Sequence, residues 1–259
     1  MKSAVSPKLD QKEIRILSEG EQNEFLDACK GHRLEALYTL ALATGMRRGE
    51  ILALTWDNVD FGTKSINVKS SVSRIKDPDT KTTSLIFSEP KTKAGRRTVP
   101  IVDSLIPILQ AHKVRQDGEK MDAGSAWNKR DLVFCSNVGT IIEPRRVCTT
   151  MDKIADVAGL EHFTFHALRH SFATRMLEAN VSPKVVQDIL GHADVTLTLN
   201  TYSHVMGTTA HEQIAKINKL FTKKESKPSV TKQLEENKEQ VKAGDKLPSK
   251  AKKRDTQEL

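Results

Sequence analysis

The residues that first suggest chemistry are histidine, arginine and tyrosine side chains between residues 165 and 204. His166 and Arg169 are three positions apart, and His192 follows a leucine and a glycine. Tyr202 lies ten residues beyond His192. An arginine can hold a phosphate with paired hydrogen bonds, histidines can move protons, and a tyrosine can attack phosphorus and remain attached to it. The stretch therefore indicates half of an active site that attacks phosphodiesters through Tyr202.

An upstream half must supply more positive charge, because charge gathers on the non-bridging oxygens of the transition state at phosphorus. Arg47 stands where a helix is predicted to restart after Gly45, and helix N-termini favour anions. A basic loop, PKTKAGR at residues 90–96, offers Lys91 or Lys93 to protonate the departing 5′ oxygen. Arginines replace a metal in this chemistry, so we expect neither a metal ion nor a cofactor.

Each of these residues also has a structural interpretation. Arg47 fits an ordinary surface loop, and Tyr202 fits a buried core tyrosine. His166 and His170 stand four positions apart and could bind a metal, but no third ligand has a suitable spacing. The combination of all the groups in one order favours the catalytic interpretation.

Three short motifs resemble those of the tyrosine recombinases, the phage integrase family. ATGMRRGEI at residues 43–51 resembles the box with the first arginine, and FHALRHSFAT at residues 165–174 resembles the His-x-x-Arg box. The tripeptide at residues 190–192, followed by Tyr202, resembles the last box. The order and separation of the motifs also agree, over about residues 15–221, and integrases of Gram-positive phages and conjugative transposons look most similar.

The resemblance implies a role for each matching residue. It implies a catalytic set of two arginines, a lysine, two histidines and a tyrosine: Arg47, Lys91, His166, Arg169, His192 and Tyr202. The arginines would clamp the scissile phosphate, His166 would accept a proton, His192 would hydrogen-bond the phosphate, and Tyr202 would be the nucleophile. Glu50 matches an acidic position with a supporting structural role. Lys91 fits the Pro-Lys-Thr context better than Lys93, which remains the alternative.

The resemblance also implies a function and partners. The chain would be the catalytic domain of a site-specific DNA recombinase that cleaves and rejoins strands through a 3′-phosphotyrosyl intermediate. Its partner would be double-stranded DNA, contacted by Arg48, Lys93 and Arg96, and it would act as a homo-tetramer on paired DNA sites, with accessory DNA-bending proteins. Only seventeen residues precede the first predicted helix, where the family usually has a further domain. A truncated DNA-binding remnant without autonomous recombination is therefore the alternative, and a type IB topoisomerase shares the chemistry.

The elements that must position these residues are mainly helical. The resemblance implies the tyrosine-recombinase catalytic fold, and periodicity predicts an α+β chain with a small three-stranded antiparallel sheet between Ser65 and Ile101. Its strands lie near residues 66–70, 85–87 and 97–101, and the basic loop joins the last two as a hairpin. Helices are predicted near residues 18–30, 33–44, 47–54, 103–117, 144–158, 164–179, 183–190, 196–205 and 208–221.

Composition divides the chain and limits its location. We predict an N-terminal linker at residues 1–17, a catalytic domain at residues 18–221 and a disordered basic tail at residues 222–259. Eleven Lys and Arg against seven Asp and Glu give the tail +4 of the net charge of +8. The basic balance favours a polyanionic partner. Three scattered cysteines, no signal peptide and no membrane-spanning stretch predict a cytoplasmic protein.

Overall fold

The computed structural model describes residues 15–89 and 95–192. All of them belong to one unit of the chain, which spans residues 1–207. The described residues form seven α-helices: α1 (Glu19–Cys29), α2 (Glu35–Thr44), α3 (Arg48–Leu52), α4 (Leu105–Ala123), α5 (Pro144–Val157), α6 (Phe165–Glu178) and α7 (Pro183–Leu190). They also form five short strands: β1 (Val59–Asp60), β2 (Ser65–Val68), β3 (Ser71–Lys76), β4 (Thr83–Ser88) and β5 (Arg97–Pro100). Lys91, Lys93, Tyr202, the helices predicted beyond residue 195 and the basic tail lie outside the described residues.

The small three-stranded antiparallel sheet is present and the three predicted strands form as β2, β4 and β5, but β1 takes the place of β4 in that sheet. β2 pairs with β1 on one side and with β5 on the other, so that Ile66 lies opposite both Val59 and Val99. β4 does not pair with β5 across the basic loop; it pairs with β3 in a separate two-stranded sheet. The prediction of a hairpin between β4 and β5 is therefore wrong. β3 escapes prediction because Val72 is its only buried residue, which leaves no apolar alternation.

Most helix boundaries agree with the sequence signals. Ser18 caps α1, where its hydroxyl accepts the N–H of Glu21 at 3.2 Å and the Glu21 carboxylate accepts the N–H of Ser18 at 2.8 Å. Ser182 caps α7, which ends at Gly191 in the left-handed conformation. These caps satisfy backbone groups that a helix leaves without partners, and they fix where α1 and α7 begin.

α4 is longer than the predicted helix at residues 103–117, because tertiary contacts hold its last turns. It continues through Gly118, although a glycine inside a helix costs about 1 kcal/mol relative to alanine. Arg33 donates to both carboxylate oxygens of Glu119, at 3.0 and 2.6 Å. Gln116 donates to two backbone carbonyl groups of the loop after α4. The prediction of a loop from residue 118 is therefore wrong for residues 118–123, which belong to α4.

α2 lies at the centre of the core, as its nearly continuous apolar sequence predicts. It packs against α1, α4 and α6, and seven of its ten residues are buried. Tyr38 is fully buried and donates its hydroxyl to the carbonyl oxygen of Val147 in α5 at 2.8 Å. The core thereby fixes α2, whose C-terminal end leads directly to Arg47. None of the described helices is both long and apolar enough to cross a lipid bilayer.

Candidate active site

The turn between α2 and α3 brings Arg47 to the site and depends on a glycine. Gly45 follows α2 with φ of +61°, a left-handed conformation that residues with a side chain rarely adopt. A Cβ atom here would lie 2.5 Å from Cδ1 of Phe172 in α6 and 2.7 Å from Cδ2 of Leu190 in α7. Glycine therefore allows the turn to approach both helices closely.

Arg47 immediately precedes α3 and pairs with Glu50 one turn further on. Its backbone N–H donates to Oε2 of Glu50 at 2.8 Å, and its Nη1 donates to Oε1 at 2.9 Å. Its Nη2 donates to the carbonyl oxygen of Gly191 at 3.1 Å. The side chain is 41% exposed, so part of the guanidinium group stays open to a phosphate from outside.

Arg97, at the start of β5, is the site residue that the sequence motifs do not indicate. Its Nη1 and Nη2 donate to the two carboxylate oxygens of Glu50 at 3.0 and 2.8 Å, and its Nε donates to the carbonyl oxygen of Ile189. The side chains of Arg97 and Glu50 are only 6% and 5% exposed. Burial alone would raise the pKa of Glu50, but the hydrogen bonds and charge of Arg97, followed by the hydrogen bonds from Arg47, lower it. Glu50 is therefore ionised at neutral pH and links Arg47 to Arg97.

Arg169, on α6, is almost completely buried and joins two other parts of the site. It is 3% exposed. Its Nη1 donates to the carbonyl oxygen of Gly45 at 2.7 Å, and its Nη2 donates to that of Leu190 at 2.8 Å. Burial, followed by the charge of Arg47, lowers the pKa of Arg169 to about 9, which leaves it protonated at pH 7.

The C-terminal end of α7 is where the three arginines meet. The last carbonyl groups of a helix lack partners within the helix and carry partial negative charge. The carbonyl oxygens of residues 189, 190 and 191 accept hydrogen bonds from Arg97, Arg169 and Arg47, in that order. His192 follows at once, so these contacts also fix where its backbone lies.

Three histidines lie beside the arginines. His166 and His170 are one turn apart on α6, and their rings meet edge to face with centroids 4.6 Å apart. Burial is the main cause that lowers the pKa of His170 and of His192 to about 4. Burial, followed by the charges of Arg169 and Arg47, also lowers the pKa of His166. All three rings are therefore neutral at pH 7, and a neutral ring has one donor and one acceptor nitrogen.

Arg48 and Arg96, which the sequence predicts to contact DNA, have partners of their own. Nη1 of Arg48 donates to Sγ of Cys148 in α5 at 2.6 Å. Both of these side chains line an open cleft of about 700 Å³, and His166 also lines it. Arg96 is 62% exposed and forms an ion pair with Glu89. The structure thus places Arg48 on a cleft shared with His166 and leaves Arg96 on the surface.

The described chain brings together most of the predicted site. The residues joined in or beside the arginine network are Arg47, Glu50, His166, Arg169 and His192. The predicted lysines and Tyr202 lie outside the described residues. Among the residues that are described, no group of three or more His, Cys, Asp or Glu side chains is placed to hold a metal ion. The arrangement gathers positive charge and neutral histidines, which suits the binding of a phosphate.

Comparison with known sequences establishes the family of this chain. Residues 9–208 match the phage integrase family, and the chain belongs to that family, as the three motifs predict. Its small antiparallel sheets and surrounding helices are the fold of tyrosine-recombinase catalytic domains.

Particular relatives show how far the similarity extends. A XerC-like tyrosine recombinase from Caldanaerobacter subterraneus subsp. tengcongensis is 38% identical over 215 residues, which cover 81% of this chain and 55% of the relative. The transposase of transposon Tn916 from Enterococcus faecalis is 26% identical, over 79% of this chain and 51% of its own length. The solved structure of the Tn1549 transposon integrase in complex with transposon right end DNA superimposes with a TM-score of 0.64 at 21% identity, over 84% of this chain and 69% of that one. The chain thus spans little more than half the length of these two sequence relatives.

Proposed function

We propose that this chain is the catalytic domain of a site-specific DNA recombinase that cleaves and rejoins strands through a 3′-phosphotyrosyl intermediate. The observation that carries the proposal is the meeting of Arg47 and Arg169 on neighbouring carbonyl groups, beside two neutral histidines. The two guanidinium groups come from separate segments, and the charge of Arg47 lowers the pKa of Arg169. A phosphodiester between them would relieve this repulsion.

The arginines and His192 bind the reacting phosphate in this mechanism. Arg47 and Arg169 donate to its non-bridging oxygens and stabilise the charge that develops there in the transition state. Arg169 stays charged at neutral pH, and the contacts of both arginines with the end of α7 restrict where they can move. His192, whose ring is neutral at pH 7, can donate its single N–H to the same phosphate.

The remaining groups move protons and electrons. Tyr202 attacks phosphorus, and its phenolic proton passes to His166, whose lowered pKa leaves a free acceptor nitrogen at pH 7. The bond from phosphorus to the 5′ oxygen breaks as the bond to the tyrosyl oxygen forms, and Lys91 (Lys93 is the alternative) gives the leaving oxygen its proton. Attack by a 5′ hydroxyl on the phosphotyrosine reverses the step and rejoins the strand.

The proposal includes the partners and the organisation of the chain. Double-stranded DNA would lie against Arg48, Lys93 and Arg96, and four copies would assemble on paired sites with the help of DNA-bending proteins. Residues 18–221 would form the catalytic domain, and the basic tail at residues 222–259 would add non-specific attraction to DNA. The solved Tn1549 integrase was bound to transposon right end DNA, which supports a DNA partner here. The three free cysteines support a cytoplasmic location.

A nicked DNA duplex tests this proposal directly. The top strand is labelled, its sequence is randomised, and a nick lies a few nucleotides 3′ of the cleavage region, so that the released fragment diffuses away and cleavage cannot reverse. We expect a covalent protein–DNA adduct on a denaturing gel, and no adduct with Tyr202→Phe. DNA binding without an adduct would favour a DNA-binding remnant instead, and an undiminished adduct with Tyr202→Phe would refute the assigned nucleophile.

A further inference from the structure

Arg97 is charged and buried at the start of a strand, which requires an explanation beyond the strand itself. Its side chain is 6% exposed, and all three of its guanidinium nitrogens have partners. Two of them donate to Glu50, and the third donates to the carbonyl oxygen of Ile189. The side chain is therefore held between two elements of the site and has little surface for direct contact with DNA.

Glu50 connects Arg97 to the first catalytic arginine. Its Oε1 accepts Nη1 of Arg47 at 2.9 Å and Nη1 of Arg97 at 3.0 Å. Its Oε2 accepts the backbone N–H of Arg47 and Nη2 of Arg97, both at 2.8 Å. One carboxylate thus receives four hydrogen bonds from two arginines, and only one of these arginines, Arg47, is open to solvent.

The negative charge of Glu50 affects how freely Arg47 can bind a phosphate. A buried carboxylate without a counter-ion is strongly destabilising, so Glu50 must be neutralised by a neighbour. Arg97 does this from the buried side with both oxygens engaged in a fork. If Arg97 were absent, Arg47 would be the remaining cation on Glu50, and a DNA phosphate would have to compete with the carboxylate for it.

The third nitrogen of Arg97 acts on the other half of the site. Ile189 belongs to the last turn of α7, three residues before His192. The hydrogen bond from Nε of Arg97 therefore ties β5 to the helix end that carries His192. A lysine has one nitrogen on a flexible stem and cannot hold Glu50 and this carbonyl group together.

We propose that Arg97 is a positioning residue, which frees Arg47 for the scissile phosphate by neutralising Glu50 and which fixes the end of α7 before His192. This inference rests on the proposed recombinase function. It assigns to β5 a role in the chemistry that none of the three sequence motifs covers.

The test compares adduct formation by the wild-type protein and by Arg97→Lys on one nicked duplex chosen from the randomised pool. At saturating DNA we expect the single-turnover rate to fall by about tenfold to a hundredfold, as for other groups that orient a reacting side chain. The DNA dissociation constant should change by less than about threefold, because the Arg97 side chain is only 6% exposed and has little surface for contact with DNA. An unchanged rate would overturn the inference.

Arg33→Lys is the matched control. Like Arg97, Arg33 donates to both carboxylate oxygens of a glutamate (Glu119) and to a backbone carbonyl group (that of Cys135). It lies before the N-terminal end of α2, whereas the active site lies beyond the C-terminal end of that helix. We expect Arg33→Lys to lower thermal stability and to leave the adduct rate within about twofold of wild type, since it holds no site residue. An equal loss of rate in both variants would mean that Arg97 acts only through general stability.

A neutral substrate separates positioning from stability. If a methyl group replaces a non-bridging oxygen of the scissile phosphate, Arg47 has less charge to stabilise. The ratio of wild-type to Arg97→Lys rates should then shrink to less than about threefold, whereas a merely unstable protein would lose the same factor on both substrates.

Glu50→Gln changes the other partner of the contact between Arg97 and Glu50 and keeps the side-chain shape. It should also slow adduct formation, because an amide has one acceptor oxygen and cannot hold Arg47 and Arg97 together as both carboxylate oxygens do. The double variant should lose less than the product of the two single losses, because both changes break the contact between Glu50 and Arg97. If Arg97→Lys fails to fold, Glu50→Gln alone decides: a wild-type rate overturns the inference. A wild-type protein that forms no adduct would overturn the proposed function as well, whereas unimpaired variants of an active protein would overturn this inference alone.

Discussion

Replacement of Gly45 by alanine tests how closely the turn before Arg47 is held against the two helices that carry the other site residues. The new Cβ would lie 2.5 Å from Cδ1 of Phe172 and 2.7 Å from Cδ2 of Leu190. Leu190 is fully buried, so its side chain cannot retreat into solvent. The turn or the side chains of Phe172 and Leu190 must therefore shift, and the turn and Leu190 also carry the carbonyl groups that accept the hydrogen bonds of Arg169.

Two separate costs give the magnitude for Gly45→Ala. The left-handed backbone at φ of +61° costs alanine about 1 kcal/mol, and overpacking a filled site adds about 1–3 kcal/mol. The free energy of unfolding should thus fall by about 2–4 kcal/mol, which lowers the melting temperature by about 4–16 °C for a domain of this size. A shift of the catalytic groups by about 1 Å would also slow adduct formation by about a hundredfold.

Gly31→Ala separates these two costs. Gly31 has a similar φ of +73°, but nothing lies within 4 Å of its Cβ position. It should therefore lose only the backbone cost of about 1 kcal/mol and retain the wild-type adduct rate. Thermal melting followed by circular dichroism and the nicked-duplex assay measure both quantities. Equal destabilisation in the two variants would refute the close packing of Gly45 against α6 and α7.

Three further predictions concern charge and protons. Burial lowers the pKa of His112 from 6.5 to about 4. The stability that the neutral ring contributes is therefore complete above pH 6.5 and is lost as the pH falls towards 4. Urea titrations over this range should show the free energy of unfolding fall by about 3 kcal/mol in the wild type and by less in His112→Gln. Arg169→Lys should lower stability by about 2 kcal/mol in thermal melts and slow adduct formation by about 10²–10³-fold, because an ammonium cannot hold both Gly45 and Leu190 carbonyl groups and a phosphate. Adduct yield should be the same with and without EDTA, since arginines stabilise the transition state in the proposed chemistry; loss of the adduct on chelation and recovery with a divalent cation would contradict it.

The parts of the site that the sequence predicts are those encoded by local signals. Ser18 and Ser182 mark helix starts by capping chemistry, and Gly191 marks a helix end by its left-handed conformation. The motif around His166 and Arg169 lies within a single helix, so its spacing alone places both residues on one structural element. Local patterns of this kind require no knowledge of which elements pack together.

The contacts that escaped prediction depend on tertiary pairing. Arg97 and Glu50 are 47 residues apart, and a buried acidic residue implies a cationic partner without identifying which of many it is. β3 is polar and solvent-exposed over most of its length, so its pairing with β4 leaves no pattern of apolar residues. The last turns of α4 contradict local propensity at Gly118, because the ion pair of Glu119 with Arg33 stabilises them.

The charge of the site is matched to the reaction rather than to the resting protein. Three guanidinium groups, those of Arg47, Arg97 and Arg169, meet one carboxylate, that of Glu50, which leaves a net charge of +2 while the neighbouring histidines are neutral at pH 7. The partial negative charge at the end of α7 offsets only part of this repulsion. A phosphodiester brings one negative charge, and a phosphorane formed with a tyrosinate brings a second. The electrostatic cost of holding the arginines together is therefore relieved partly on DNA binding and most fully in the transition state, which is the condition for faster chemistry rather than tighter binding alone.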